Sequence, residues 1–355
     1  MANPRTAPRV PEALPEGGSK LKALRVLALV ALVLVAACSK QSGPQAGANG
    51  LTTVRFATDW RAQAEQGGFY EALATGEYKK RGLDVSIIQG GPSVNVPLLL
   101  ATGAIDAGIG SNSFIAINQA QQHTGVVAVM AAMQSDPQVL IAHPGQGINS
   151  IADMKGRPIL LSDASVTAFW LWLKAKYGFT DAQVRPYTSS AAFIESPSAI
   201  EEGYLTSEPF TIQKVSGIKP QVFLLADEGY PGYAAMVMTS SKLIASNPKA
   251  VKAFVDGTAA GWKAYLYGDP RPGDALILKD NPEMTPDLLA FARDKMREKG
   301  LVLSGDAAAQ GIGAMTDSRW QTFYSTISRQ DPADYPPSLD YRRAYTLQFL
   351  PTGVK

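Results

Sequence analysis

The sequence has 355 residues, 46% of them hydrophobic and 18% charged, with a formal net charge of +2. Five of its 33 basic residues and two of its 31 acidic residues lie before residue 38, so the rest of the chain carries 28 basic and 29 acidic side chains. This balance, without a basic cluster, excludes the electrostatic surface that nucleic acid or anionic lipid would require. The single cysteine and the two histidines, His123 and His143, which are expected on the surface or in loops, give poor support to a zinc site or a Cys/His catalytic group.

The N-terminal segment has the pattern of an export signal. Three basic residues lie between positions 20 and 25, and twelve apolar residues follow from Val26 to Ala37. At about 1.5 Å per helical residue this run spans about 18 Å, too short for a hydrocarbon core of about 30 Å. Its end, Val35-Ala36-Ala37-Cys38, resembles the lipobox of bacterial lipoprotein signals, which implies a signal peptide of residues 1–37 and a lipid on Cys38. The alternative is an ordinary secretory signal followed by an incidental cysteine.

Residues 38–50 are rich in serine, glycine, glutamine and alanine, which predicts a flexible tether. The 305 residues after the tether suffice for two lobes of ordinary domain size. From Leu51, short β-rich runs alternate with helical stretches, in the order that predicts an α/β sheet covered by helices. In this first unit the predicted strands are 53–58, 83–88, 105–109 and 126–132, and the predicted helices are 68–80, 95–102 and 114–122.

A second α/β unit is predicted after residue 137. One of its helices spans 165–177, where apolar residues at offsets 0, 3, 4, 7 and 11 from Val166 form a buried stripe that includes Trp170 and leaves out Trp172. Residues 233–238 are interpreted as the crossing back to the first unit. The predicted strands of the second unit are 138–142, 157–161 and 222–226, and the predicted C-terminal helices are 248–267, 271–279, 286–299 and 317–328.

The predicted architecture is α/β with two lobes, the second inserted between two parts of the first. Lobe 1 is assigned residues 51–137 and 233–355, which include the C-terminal helices, and lobe 2 is assigned residues 138–232. Two crossings would join the lobes. Because ligands of open α/β sheets bind beyond the carboxyl ends of the strands, we expect a ligand cleft between the lobes.

Six short motifs follow one another between about Thr52 and Tyr267. They are Asp59-Trp60 with Gly67-Gly68-Phe69-Tyr70, Gly76-Glu-Tyr-Lys-Lys-Arg-Gly82-Leu-Asp84, Gly90-Gly91-Pro92-Ser93, Gly103-Ala-Ile-Asp106-Ala-Gly-Ile-Gly110, Asp153-Met-Lys155-Gly156 and Tyr204-Leu-Thr-Ser-Glu208-Pro209. Each motif alone is weak. In this order the set resembles the solute-binding proteins of ABC transporters of the nitrate, sulfonate, taurine and thiamine-pyrimidine-precursor type.

The resemblance implies a type II periplasmic-binding-protein fold, in which a small molecule is captured between the lobes and delivered to ABC permease subunits. It also implies a protein without catalytic residues and without a cofactor or metal. A thiamine-pyrimidine synthase relative shares this fold, but it is a cytoplasmic enzyme that uses a catalytic histidine, a substrate lysine and a cysteine-rich motif. No cysteine follows Cys38, so an enzyme is not expected.

The first candidate ligand-binding residues lie at the carboxyl end of the first predicted strand. Trp60 and Tyr70 can stack on a flat ring, while Asp59 and Glu208 can accept hydrogen bonds from ring or amino N–H groups. A helix cap beside a core tryptophan is the alternative for Asp59-Trp60. A capping carboxylate ahead of a helix is the alternative for Glu208.

Two loops that precede predicted helices supply further candidates, Ser93 with Asn95 and Ser111 with Asn112. Together with backbone N–H groups at helix starts, these side chains can bind an anionic or carbonyl group, and ordinary turn and N-cap chemistry is the alternative. Neither loop contains Lys or Arg, which weakens the expectation of a fully charged anion.

The second lobe contributes Ser165 and Thr167, which are expected to face Asp59 and Trp60 across the closed cleft. Tyr230 lies near the second crossing, where it is expected to be part of a hinge or of the cleft wall.

These expectations agree on a membrane-anchored, extracytoplasmic solute-binding lipoprotein of an ABC importer, monomeric and held on the periplasmic side of a bacterial membrane. The aromatic and carboxyl side chains favour a nitrogen heterocycle, such as a thiamine-pyrimidine precursor, as the ligand. The alternatives are a binder of sulfonate, taurine or nitrate anions, and a ligand-sensing lipoprotein that is not coupled to transport. Ser39 is not the aspartate that would argue for the inner membrane, so the sequence leaves both membranes open.

Overall fold

The computed structural model describes residues 50–91, 94–351 and 354. The predicted signal peptide, Cys38, all but the last residue of the tether, and Ser93 lie outside the described residues. Within these ranges no helix combines the length and the apolar character needed to cross a membrane.

Strands and helices alternate through most of the described chain. Its strands are β1 (Thr52–Ala57), β2 (Leu83–Ile88), β3 (Ala107–Asn112), β4 (Val126–Met133), β5 (Gln138–Ala142), β6 (Ile159–Leu161), β7 (Val184–Pro186), β8 (Ile200–Tyr204), β9 (Gln221–Leu224) and β10 (Ala234–Ser240). Its α-helices are α1 (Gly67–Ala74), α2 (Val96–Ala101), α3 (Ser113–Gln121), α4 (Asp163–Val166), α5 (Phe169–Tyr177), α6 (Ala191–Glu195), α7 (Glu208–Ser216), α8 (Ser241–Ser246), α9 (Pro248–Tyr267), α10 (Arg271–Asp280), α11 (Pro286–Glu298), α12 (Gly305–Gln310) and α13 (Asp317–Gln330). Short 3-10 helices lie at Ala64–Gln66, Lys79–Arg81, Ile151–Met154, Asp181–Gln183 and Tyr341–Ala344.

The strands form two five-stranded sheets. The first has the order β2-β1-β3-β10-β4, with β1 parallel to β2 and β3, and with β10 antiparallel to β3 and β4. The second has the order β7-β6-β8-β5-β9, with β6 parallel to β7 and β8, and with β5 antiparallel to β8 and β9. The chain passes from the first sheet to the second after β4 and returns after β9. This topology confirms the predicted α/β fold with two lobes and two crossings.

Aromatic packing joins the sheet of lobe 1 to two of its helices. Phe56 of β1 stacks on Phe69 of α1 with ring centroids 4.7 Å apart, and Trp262 of α9 meets Phe69 edge-on at 6.0 Å. The helices α1 and α9 touch at glycines, because a Cβ on Gly68 would lie 2.2 Å from the Trp262 ring and one on Gly261 would lie 2.1 Å from the Gly68 carbonyl oxygen. The glycine pair that opens α1 is therefore required for packing.

Two acidic residues of the sequence motifs also have structural roles. The buried carboxyl group of Asp106 accepts hydrogen bonds from Nε and Nη2 of Arg55, each at 2.9 Å, and thereby ties β1 to the turn before β3. Asp153 accepts the Ser150 N–H at 2.9 Å and caps the 3-10 helix Ile151–Met154. These two motif residues therefore fix the local backbone.

Lobe 2 departs from the predicted elements at its longest helix. The helix predicted for residues 165–177 is two helices, α4 and α5, because Ala168 has the non-helical angles φ −128° and ψ −111°. Trp170 is buried, as predicted. Trp172, which is predicted to lie off this stripe, is also buried and meets the ring of Tyr230 edge-on at 5.4 Å. The segment that returns to lobe 1 therefore covers a second face of α5.

His143 lies in the loop directly after β5, one of the two positions predicted for it, but it is not on the surface: its ring is buried and stacked on Phe193 at 4.2 Å, and its Nε2–H donates to the Phe193 carbonyl oxygen at 2.7 Å. Residues 200–204, for which no strand is predicted, form β8 in the middle of the second sheet. His123 is exposed, in agreement with its predicted position.

The Gly68→Ala substitution is expected to destabilise the protein by about 1–3 kcal/mol, because the added methyl group must displace the Trp262 ring from a filled core. Denaturant unfolding followed by tryptophan fluorescence would measure the loss. Gly232→Ala is the matched control, since its Cβ would meet the Tyr230 ring at 3.4 Å, an ordinary contact distance. Equal losses in the two variants would contradict the packing explanation.

Candidate functional site

The candidate site lies at the carboxyl ends of parallel strands in both sheets. Asp59 and Trp60 follow β1, and Ser111 lies near the end of the neighbouring β3. Because β1 and β3 are parallel, these residues reach the same edge of the sheet, where Ser111 Oγ donates a hydrogen bond to Asp59 Oδ2 at 2.6 Å. In the second sheet, Ser162 follows β6 and Tyr204 ends the parallel strand β8.

The turn that carries Asp59 is held by short backbone contacts. Thr58 Oγ1 donates to the Trp60 carbonyl oxygen at 2.6 Å and accepts the Gly90 N–H at 2.9 Å. A Cβ on Gly90 would lie 2.2 Å from the Thr58 carbonyl oxygen, so this position requires glycine. Trp60 is 41% exposed beside Asp59. The turn therefore presents a carboxyl group and an accessible indole ring from one fixed backbone.

Asp59 is half-buried, and its Oδ1 atom is buried without a hydrogen-bond partner among the described residues. Burial raises the pKa of Asp59, although the hydrogen bond from Ser111 opposes the rise.

Glu65 is a second carboxyl group of lobe 1 at this edge. It lies in the 3-10 helix Ala64–Gln66 and is 4% exposed. Thr206, which follows β8 in lobe 2, donates its hydroxyl hydrogen to Glu65 Oε1, so the two lobes are in contact here. Burial, with smaller contributions from the charges of Glu208 and Asp59, raises the pKa of Glu65 to about 7.

Two adjacent glutamates of β8 bring further acidity from lobe 2. Glu202 is 7% exposed and accepts the Ser162 N–H at 2.9 Å through Oε1, while its Oε2 has no hydrogen-bond partner in the described chain. Glu201 accepts a hydrogen bond from Ser190 Oγ at 2.6 Å, and its Oε2 is likewise buried and unpartnered within the described residues. Burial raises the pKa of Glu202, and raises that of Glu201 to about 8.

Glu208 is the first residue of α7 and folds back over β8. Its Oε2 accepts the Tyr204 N–H at 2.6 Å, and a Cβ on Gly203 would lie 2.8 Å from the Glu208 Cβ. Its carboxylate therefore accepts a hydrogen bond from the end of β8, whereas the N-cap of α7 is Ser207, so Glu208 does not make the helix-capping contact given above as the alternative for it. Burial raises its pKa as well.

The carboxyl groups of the five residues described above interact electrostatically. In the described part of the chain, their hydrogen bonds come from hydroxyl, amide and backbone groups, and the charges that raise their pKa values are negative. Tyr204 lies among them, because several of these carboxyl groups add to the effect of burial in raising its pKa. We call the following set the acidic cluster: Asp59, Glu65, Glu201, Glu202 and Glu208.

Of the two site residues predicted in lobe 2, Ser165 is buried and Thr167 is exposed. Ser165 is buried, its Oγ lies 3.0 Å from Ser162 Oγ, and its hydroxyl opposes the pKa rise of Glu202. Thr167 is exposed at the end of α4. Ser165 therefore joins the acidic cluster directly, beside Ser162.

The two predicted asparagines are helix caps. Asn95 is exposed and accepts the Leu98 N–H at 3.0 Å at the start of α2. Asn112 accepts the Phe114 N–H at 3.1 Å at the start of α3. These contacts are the N-cap chemistry given as the alternative for both loops, and Ser93 of the first loop lies outside the described residues.

The two predicted tyrosines lie in hydrophobic cores. Tyr70 is buried with the core of lobe 1, and its hydroxyl donates to Asp280 Oδ2 at 3.1 Å. Tyr230 is buried beside Phe114 and Trp172, and its hydroxyl has no partner within the described residues. The structure does not place either ring beside Asp59.

Glu65, Glu201 and Glu202 are missed by the sequence patterns. Their positions were the only signal available: Glu65 lies five residues after Trp60, and Glu201-Glu202 end one residue before the last motif begins at Tyr204. In the ranges that the structure describes, no three His, Cys, Asp or Glu side chains are grouped so that they could hold a metal ion.

A family model described as NMT1/THI5 like matches residues 63–271. The comparison with curated proteins found no match. Among solved structures, the periplasmic aliphatic sulphonate binding protein SsuA from Escherichia coli has a TM-score of 0.65 at 14% identity, over 85% of this chain and 94% of that chain. A Candida albicans protein described as having the generic periplasmic binding protein fold gives 0.61 at 13% identity, over 86% and 98%. The desulfurization enzyme DszB gives 0.53 at 12% identity, over 84% and 97%. These likenesses show the periplasmic-binding-protein fold.

The acidic cluster is expected to make the ligand-free protein less stable as the pH rises. An acid whose pKa is higher in the folded state binds more protons there, so stability falls between the unfolded and folded pKa values. That window runs from 4.5 to about 7 for Glu65 and from 4.5 to about 8 for Glu201. The thermal midpoint should therefore fall between about pH 5 and pH 8, and Glu65→Gln, which cannot ionise, should reduce the slope.

The control for this experiment is Asp84→Asn, at an exposed position of β2, which should leave the slope unchanged. Surface acids in ion pairs do not interfere, since Arg271 lowers the pKa of Asp269 to about 2 and keeps it ionised throughout. A midpoint that is constant or rises over this range would show that the cluster is already ionised in the folded protein.

Proposed function

This chain belongs to the NMT1/THI5-like family, and on that premise we propose that it is a solute-binding protein that captures a small molecule between its lobes and delivers it to an ABC importer. The proposed location is the periplasmic side of a bacterial membrane, reached through the export signal and maintained by a lipid on Cys38. The proposed partners are the ligand, the ABC permease subunits and the membrane, and the protein is proposed to act as a monomer without a cofactor.

The observation that supports this function best is the meeting of the two sheets at one acidic site. Asp59 and Glu65 come from lobe 1, Glu202 comes from lobe 2, and the Thr206 hydroxyl reaches Glu65 from the opposite lobe. A molecule bound to both sides would favour the closed arrangement of the lobes by its difference in affinity for the closed and open forms. A permease that recognises the closed form would then distinguish loaded from empty protein.

Binding is proposed in preference to catalysis, although DszB shows that an enzyme can have this fold. The sequence has no cysteine after Cys38 that could act as a nucleophile. His143 is buried against Phe193 with its Nε2 engaged, and His123 is exposed after α3. Neither histidine is among the groups that act on the acidic cluster, so a Cys/His or Ser/His pair is not formed there.

The proposed ligand is a flat nitrogen heterocycle that resembles a thiamine-pyrimidine precursor. Ring and amino N–H groups are donors, and they suit the unpartnered acceptor atoms Asp59 Oδ1 and Glu202 Oε2. The accessible ring of Trp60 beside Asp59 can stack on such a heterocycle.

A sulfonate, taurine or nitrate anion is the second candidate. SsuA is described as a sulphonate binding protein, and a carboxyl group with a raised pKa is mostly protonated below that pKa and can then donate a hydrogen bond to an anion. A ligand-sensing lipoprotein would use the same cleft and differ only in its membrane partner.

A thermal-shift screen of the chain from Ser39 to Lys355 would test the ligand class. Aminopyrimidines are expected to stabilise the protein by about 2.7 kcal/mol at a hundredfold excess over their dissociation constant, whereas taurine, an alkanesulfonate and nitrate leave the midpoint unchanged. A shift with the anions alone would favour the second candidate.

Trp60→Ala is expected to weaken heterocycle binding about tenfold, because aromatic stacking contributes about 1 kcal/mol beyond area burial. The thermal midpoint of the ligand-free variant should be close to that of the parent, since the ring is 41% exposed. Tyr267→Ala, which removes another exposed aromatic ring, is the matched control for both measurements. Loss of stability without loss of affinity would place Trp60 in a structural role.

A further inference from the structure

The acidic cluster has unfilled hydrogen-bonding capacity in both lobes. Glu202 is more than nine-tenths buried, yet its Oε2 atom has no partner among the described residues. Its other oxygen is bound to the Ser162 N–H, at the carboxyl end of β6, so the side chain points to the cleft edge of the second sheet. Asp59 Oδ1 is similarly unpartnered at the edge of the first sheet. Ionised carboxyl oxygens only accept hydrogen bonds, so both atoms lack a donor.

The cluster also lacks a counter-charge in the described part of the chain. Glu208 acts on Glu65, Glu201 and Glu202, and Asp59 acts on Glu65. The other titratable groups that face the cluster, from the first crossing, the loop after β7 and the end of β8, are Asp136, Tyr187 and Tyr204. All of these groups are acids, so each ionisation makes the next one less favourable.

Trp60, the residue after Asp59, has an accessible indole ring. Indole is the strongest of the side-chain rings in attracting a cation to its face. A cation bound at this turn would be attracted both by the ring and by the carboxyl group of the preceding residue.

We propose, on the basis of the solute-binding function above, that the ligand is an organic cation, a protonated nitrogen base of the amidine or aminoheterocycle class, held between Trp60 and carboxyl groups of both lobes. An amidinium-like group has two parallel N–H donors, which can each donate to an oxygen of a different carboxyl group. Glu202, Glu201 and Asp59 each have one oxygen without a partner among the described residues, and Glu202 and Asp59 come from opposite lobes.

Binding of a cation is linked to protons. Burial holds Glu65 and Glu201 partly protonated near neutral pH, and a neighbouring positive charge lowers the pKa of a carboxyl group. The complex therefore contains fewer bound protons than the empty protein. Affinity therefore rises with pH through the range of these pKa values, which for Glu201 extends to about 8.

Benzamidine, benzamide and benzenesulfonate form a matched probe set, because the same ring carries a positive, a neutral or a negative group. Isothermal titration of the full chain in detergent at about pH 7.5 should give benzamidine an affinity at least about tenfold higher than benzamide, with benzenesulfonate unbound. Benzamidine affinity should rise about tenfold between about pH 6 and pH 8. Repetition in buffers of different ionisation enthalpy should show release of protons.

Glu202→Gln keeps the shape of the side chain and removes its charge, and it should reduce the preference for benzamidine over benzamide about tenfold. Asp84→Asn, at the exposed amino end of β2, is the matched control and should leave the preference unchanged. Should Glu202→Gln fail to fold, the comparison of the three probes with the unsubstituted chain still decides the proposal.

Equal affinities for benzamidine and benzamide, tighter binding of benzenesulfonate, a response to zinc alone, or no benzamidine binding at any pH would each overturn the cationic ligand. These outcomes leave the solute-binding function intact. The solute-binding function would be contradicted by a different result, namely that no aminopyrimidine and no anion binds in the thermal-shift screen.

Discussion

Five carboxyl groups share a poorly hydrated edge between two sheets, and the described residues supply no opposite charge to them. Desolvation makes each ionised carboxylate unfavourable, and the neighbouring carboxylates add repulsion. The protein can meet this cost in two ways, by keeping protons on the cluster or by binding a molecule that brings donors and positive charge. Both the pH dependence of stability and the choice of ligand therefore depend on the absence of positive charge near these carboxyl groups in the described part of the chain.

A fold that contains such a site must remain stable although the burial of these carboxyl groups costs free energy. Lobe 1 supplies this through close contacts that tolerate no added atoms, with Gly68 against Trp262 and Gly90 against the Thr58 carbonyl oxygen. Phe56, Phe69 and Trp262 fill the space behind the turn that carries Asp59. Such close packing leaves little room for rearrangement, which is the arrangement expected when binding groups must be held in position against their own repulsion.

The fold was largely predictable because its signals are local and repeated. Alternating β-rich and helical runs place β1, β2 and α9 within a residue or so of their observed bounds, and the order of elements gives the two lobes. Strand β8 was not predictable in this way, since Glu201 and Glu202 interrupt the apolar run that marks a central strand. Trp172 and His143 are buried by elements distant in sequence, the segment around Tyr230 and helix α6, which no local periodicity reveals.

The same reasoning separates the part of the site that sequence could predict from the part it could not. Asp59 and Trp60 follow β1, Ser111 lies near the end of β3, and Ser165 lies in the helix after β6. Because parallel strands bring their carboxyl ends together, the positions of these residues follow from topology. The same reasoning predicts Tyr70 at the site, because it lies at the start of α1. The packing of Gly68 on α9, however, directs Tyr70 into the core. Glu202 is different, because the residues of a central strand are normally apolar or fully hydrogen-bonded. A buried carboxyl group with one unpartnered oxygen in a central strand costs stability in the empty protein, so its presence is better explained by a ligand that supplies the missing donor than by the fold itself.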